Sequence, residues 1–164
     1  MRLYHGSLER VESPRILPRA LYRPLDFGTG FYTTSDCEQA RKWVGNRLRH
    51  SSVAKTGFVS VYEFDETSSL ALRVKRFDGV TVEWLRFIAA NRLDFNVEHG
   101  FDVVIGPVAD DRVYTVLSLF EGGYIDEQSA MARMKAYRLA DQYLFHTERS
   151  LSLLRYVSAL EVEK

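Results

Sequence analysis

The chain is poor in cysteine, in net charge, in long apolar runs and, outside one segment, in proline. Cys37 is the single cysteine among 164 residues, so an internal disulfide is excluded and a reducing compartment is expected. Lys plus Arg and Asp plus Glu both number 22, a formal net charge of zero. That balance excludes binding of a polyanion through the overall field and leaves only a local patch. No apolar run approaches the ~20 residues that cross a bilayer, and a polar His-Gly-Ser follows the first four residues. Neither a membrane span nor a signal peptide is therefore expected, and the expected location is cytoplasmic. What is present is a globular mixture, 46% apolar and 27% charged, of a length that suits one domain over residues 1–164.

Three of the four prolines, Pro14, Pro18 and Pro24, fall in residues 8–25 with Arg10, Arg15, Arg19 and Arg23. Such a segment cannot be one helix and is expected to be an ordered surface loop. Ser35 with Glu38 predicts a capping box, followed by Ala40, Trp43, Val44 and Leu48 at helical spacing. "GFVSVYEFD" (57–65) and "LALRV" (70–74) are expected strands. Thr81 is expected to cap a helix that buries Trp84, Phe87, Ile88 and Asn91, and "FDVVIGPV" (101–108) to be a central strand. Asp110 and Asp126 predict two further helix starts, the second with Ala130, Met131, Met134 and Tyr137 inward. "QYLFHT" (142–147) is an expected strand, Thr147 a cap, and "YVSALEV" (156–162) a closing strand. Strands and helices mix without βαβ alternation, which predicts an α+β fold, mainly antiparallel.

Two stretches carry most of the chemistry. In "LYHGS" (3–7), His5 alternates with Leu3 on a short strand, Gly6 allows close approach to the backbone, and Ser7 offers a hydroxyl. In "DFGTGFYTTS" (26–35), Gly28 and Gly30 permit a tight backbone, and Phe31 and Tyr32 supply flat faces on which a ring can stack. The stretch lacks the Gly-Lys-Ser/Thr of a P-loop, and no Rossmann fingerprint exists. His50, His99 and His146 have no metal-ligand spacing, so no metal is expected. His146 shares strand parity with Gln142. No G-x-S-x-G elbow is present. Cys37, at a helix start, is read as a small helix residue.

"LYHGS", "DFGTGFYTT" with a following "EQA" and "W", "W…FI…NR", "GPVADD" and "DQYLF" occur in the order that resembles the ADP-ribosyltransferase superfamily, and most closely the bacterial family DUF3990. The resemblance spans roughly residues 3 to 156. It implies an ADP-ribosyltransferase-like split antiparallel β core with flanking helices. It also implies NAD as co-substrate, split at the nicotinamide–ribose bond, with ADP-ribose passed to an acceptor. His5 would hold the ribose or adenosine side, Gly6 would meet the nicotinamide amide with Ser7 nearby, and Tyr32 would stack on the nicotinamide. Tyr4, Gly28, Gly30, Phe31, Thr33 and Arg19 complete the implied NAD-binding set; Arg19, like Arg15, lies in a loop from which a guanidinium reaches a pyrophosphate.

The third member of the family's site is usually a glutamate, and the matching position here is Gln142. An amide orients a ribose hydroxyl but brings no charge to an oxocarbenium-like transition state. This weighs against poly-ADP-ribose elongation and leaves single transfer, NAD hydrolysis, or a catalytically weak NAD- or nucleotide-binding module. Asp110 and Asp111 are candidate auxiliary carboxylates, or plain helix caps. Gln142→Glu is expected to raise NAD cleavage. The resemblance further implies a toxin of a toxin–antitoxin pair, with a cognate antitoxin as partner and an acceptor the sequence does not name.

Overall fold

A computed structural model describes residues 1–17, 25–93, 98–135, 137 and 139–164. Along the chain run β1 (Arg2–Ser7), β2 (Phe31–Thr33), α1 (Cys37–His50), β3 (Thr56–Phe64), a 3-10 turn (Ser68–Ala71), β4 (Val74–Arg76) and α2 (Val82–Leu93). Then follow β5 (Val103–Pro107), α3 (Asp111–Glu121), α4 (Glu127–Met134), β6 (Asp141–Phe145), α5 (Glu148–Leu151) and β7 (Leu154–Glu163). The mixed α+β class agrees with the pattern read from the sequence. No helix among the described residues is long and apolar enough to cross a membrane.

The strands form two sheets, ordered β1-β3-β7 and β2-β6-β5-β4. All pairs are antiparallel except β4 with β5, which run parallel. The sheets touch through an isolated bridge in which Tyr4 N–H donates to Thr34 O at 2.8 Å and Thr34 N–H to Tyr4 O at 3.0 Å. Beyond Tyr4, β1 continues along β3 rather than β2, so the two sheets part company at His5.

Each sheet face buries a separate core, as alternation along a strand requires. Phe31, Tyr143, Phe145, Val103 and Ile105 pack with Leu3, Tyr62 and Phe64 on one side. Leu144 and Val104 pack with Phe27, Trp84, Ile88, Leu117 and Met134 on the other, beneath α2, α3 and α4. A third cluster joins Ala40, Val44 and Leu48 of α1 to Val59.

Three local expectations are corrected. The cap of α1 is Asp36, which accepts from Glu38 N at 2.9 Å and Gln39 N at 3.3 Å; Ser35 instead donates its hydroxyl and its N–H to Asp141. Trp43 shares helical spacing with buried neighbours yet is 56% exposed. "LALRV" is no strand; its first half turns as a 3-10 helix, and β4 begins only at Val74, where parallel pairing to Val103 supplies partners. Asp110, Asp126 and Thr147 cap α3, α4 and α5 as their spacing predicts.

Candidate functional site

The junction of the two sheets is built by the two glycine-containing motifs. On β1, alternation sends Leu3, His5 and Ser7 to one face and Tyr4 and Gly6 to the other. Gly6 faces α1 so closely that a Cβ there would lie 2.6 Å from Ala40 O and 3.3 Å from Trp43 Cδ1. Only a residue without a side chain lets α1 rest on β1 at this point. Tyr4 packs against the same helix-facing cluster.

His5 leans across to β2. Its ring stacks on Phe31 with centroids 4.3 Å apart, and its Nδ1 lies 2.7 Å from Tyr32 O. A carbonyl only accepts, so Nδ1 carries the proton and Nε2 keeps its lone pair in the neutral ring. Burial lowers the pKa of His5, the Arg47 charge lowers it further, and the Tyr32 carbonyl acts in the opposite direction. At neutral pH the ring is therefore an uncharged acceptor at Nε2. Thr33, on the Phe31 face of β2, is buried and its Oγ1 has no hydrogen-bond partner among the described residues. Ser7 Oγ accepts the Glu9 N–H at 3.3 Å.

The segment from Asp26 to Gly30 is clamped rather than loose. The Tyr32 hydroxyl donates to Gly28 O at 2.6 Å and accepts from Phe27 N at 3.2 Å. His99 Nε2–H donates to Phe27 O at 2.9 Å while its Nδ1 accepts from Phe101 N, and His146 Nδ1–H donates to Thr29 O at 2.5 Å. Gly30, at φ 151°, packs where a Cβ would lie 2.5 Å from Phe145 O. His99 and His146 thus serve the loop's backbone, a role that sequence spacing left undetermined.

Gln142 pairs with Gly106 on β5 and is 8% exposed. By alternation it shares a face with Leu144 and Tyr32, opposite to Phe31. Its Nε2 donates to Asp26 Oδ2 at 3.0 Å and to Pro107 O at 3.3 Å. The structure accordingly groups the expected residues in two sets. His5, Phe31, Thr33 and the Tyr32 carbonyl meet on one side of β2; the Tyr32 phenol, Gly28, Gln142 and the unforeseen Asp26 gather on the other. Asp110 is turned to Arg112 at 2.6 Å and to the first N–H groups of α3, away from both sets. The Asp111 side chain and all of Arg19 lie outside the described residues, while Arg15 is exposed.

Next to the end of β1 lies a shallow concavity of about 430 Å³, lined by Leu8, Trp43, Asn46, Arg47, His50 and Ser51. Trp43 is the largest ring of this wall, beside the smaller imidazole of His50, and it borders Gly6. The "W" that follows the second motif was visible in the sequence, but helical spacing assigned it inward.

Fold and site together define a mixed α+β protein whose two sheets meet beside a half-buried, neutral histidine. The chain belongs to the family described as "Protein of unknown function (DUF3990)", which matches residues 1–156. No curated protein matches the chain.

Proposed function

We propose that this protein is a mono-ADP-ribosyltransferase with an ADP-ribosyltransferase-like split β core. On this reading it binds NAD at the junction of β1 and β2 and transfers ADP-ribose to an acceptor. The observation that carries the reading is the His5 contact: a neutral imidazole is fixed by Phe31 and the Tyr32 carbonyl, with Nε2 available to accept from a ribose hydroxyl. Thr33 Oγ1 in the same set, which has no hydrogen-bond partner among the described residues, and the exposed Trp43 face beside Gly6 add a polar atom and a flat surface that suit a nucleotide.

In the proposed reaction the nicotinamide–ribose C–N bond breaks, its electron pair leaving on neutral nicotinamide. The anomeric carbon then bonds to the acceptor's nucleophilic atom, which releases its proton to solvent. Water in place of the acceptor gives NAD hydrolysis. The residues of this chain bind and orient: His5 takes the ribose or adenosine part on one side of the edge strand β2, Gly6 the nicotinamide amide, and Tyr32 and Gln142 the nicotinamide ring and its ribose hydroxyl on the other side. A second reading, a nucleotide-binding module with little turnover, is favoured by one feature, the amide rather than carboxylate at Gln142.

Thermal melting tests the binding half of this reading. A ligand at 100 times its Kd adds about 2.7 kcal/mol to stability, so NAD should raise the melting temperature of the wild type and not of His5→Ala. Tyr32→Phe keeps the ring and removes only the hydroxyl that clamps Gly28, so it separates stacking from loop support. An equal NAD shift in wild type and His5→Ala would place the nucleotide elsewhere or nowhere.

A further inference from the structure

Asp26 is a buried carboxylate that the sequence motifs left without a role. It is 5% exposed and makes no ion pair among the described residues. Three donors converge on it: Ala109 N–H and Gln142 Nε2–H on Oδ2, each at 3.0 Å, and the Tyr114 hydroxyl on Oδ1 at 3.2 Å. β6 contributes Gln142, the turn after β5 contributes Ala109, and α3 contributes Tyr114. From α2 the Arg92 charge also acts on Asp26, and its guanidinium lies 3.7 Å from the centroid of the Tyr114 ring. Asp110, the neighbouring carboxylate, is occupied by Arg112.

This arrangement decides which way Gln142 is turned. Its two amide hydrogens are spent on Asp26 Oδ2 and Pro107 O, both pure acceptors. The flipped amide would set oxygen against oxygen at both places. Gln142 Oε1 accepts no hydrogen bond from the described residues, so it is the end left for another molecule.

We infer that Asp26 is the positioning residue of Gln142: it holds the carboxamide with Oε1 available and carries, one hydrogen bond behind it, the negative charge that an amide lacks. The inference rests on the proposed role of Gln142 toward the ribose. A carboxylate that accepts from Nε2–H draws electron density toward Oε1, strengthening that oxygen as an acceptor as the ribose carbon becomes positive. The negative charge of the site is thus placed one residue deeper, on a side chain 116 positions away in sequence.

The test is the pH dependence of NAD-cleavage kinetics of the wild type and D26N, with the unliganded melting temperature of each. In D26N the amide oxygen takes the place of Oδ2 toward Ala109 and Gln142 and the amide nitrogen faces the Tyr114 hydroxyl, so the hold on Gln142 stays and the charge goes; kcat should fall at least about tenfold while KM stays within about twofold. Burial raises the pKa of Asp26. The wild-type rate should therefore show an acid limb above the ordinary aspartate range, and D26N should lack it. Unchanged kcat in D26N would overturn the inference, and so would a wild-type rate without that acid limb. If D26N does not fold, the wild-type pH profile decides alone. Wild-type protein that neither binds nor cleaves NAD would overturn the proposed function and this inference with it, whereas cleavage insensitive to D26N would overturn only the inference.

Discussion

Asp26 and Gln142 meet at 3.0 Å where both side chains are almost out of water, and this spacing changes what a substitution at position 142 does. From the sequence alone Gln142→Glu is expected to raise NAD cleavage, because a carboxylate opposes developing positive charge. In the fold, that variant sets a second carboxylate against Asp26, and one of the two must take up a proton or forfeit stability. We predict that Gln142→Glu loses about 3 kcal/mol at pH 7.5, the scale of an uncompensated buried charge, and recovers part of it at pH 5.5. Urea unfolding at the two pH values checks this, and equal stability of wild type and variant at pH 7.5 would contradict it. The wild type carries its own signature. A carboxylate whose folded pKa is raised contributes most below its unfolded pKa and loses that contribution as pH rises through the folded value. The stability of wild type relative to Asp26→Asn should therefore grow as pH falls from 7.5 toward 5, and urea midpoints of the pair that stay in fixed ratio would argue against a buried, raised Asp26.

Among the elements, the contact between β1 and α1 and the connection around Asp102 are the sensitive points. A methyl at Gly6 would stand 2.6 Å from Ala40 O, which is backbone and cannot swing aside, so α1 must move as a unit. Gly6→Ala should cost about 1–3 kcal/mol, the usual range for overpacking, and a melting temperature unchanged from wild type would contradict that contact. Asp102 accepts from Arg149, from Thr147 Oγ1 at 2.9 Å and from Arg73 N at 2.8 Å, joining α5 and the start of β4 to β5. The Arg149 guanidinium holds its carboxyl well below the usual carboxylate range. A depressed pKa stabilises above the unfolded value near 4 and is lost as pH falls further, so Asp102→Asn should flatten the acid side of the stability curve. An acid unfolding limb identical to that of the wild type would exclude this role. The caps of α3, α4 and α5 were legible in the sequence because each accepts from N–H groups of its own first turn. The start of α1 was not, because Asp141 binds Ser35 from more than a hundred residues away. β4 was illegible for a similar reason: three residues become a strand only through the parallel partner that β5 offers.

At the scale of the whole molecule, the α+β class followed from the mixture of periods, and the two motifs announced where the sheets meet. Sequence spacing could place His5 and Tyr32 on strands, but not on which face of β2 each would act, since that depends on how β1 crosses to Thr34. Nor could it pair Asp26 with Gln142, a contact made only after both sheets and α3 have assembled. The central claim is that the junction of β1 and β2 holds NAD for cleavage, and it makes His5 indispensable while leaving the fold intact without it. The most direct measurement incubates purified wild type and His5→Ala with NAD labelled in the nicotinamide and adenine parts, with and without cell extract. Released nicotinamide, free ADP-ribose, and label on protein and on nucleic acid are counted separately. The account predicts nicotinamide release by the wild type, label transferred to one macromolecular fraction when extract is present, and at least about a hundredfold less release by His5→Ala with an unliganded melting temperature within a few degrees of wild type. Release at equal rates from both proteins, or from neither, would contradict it.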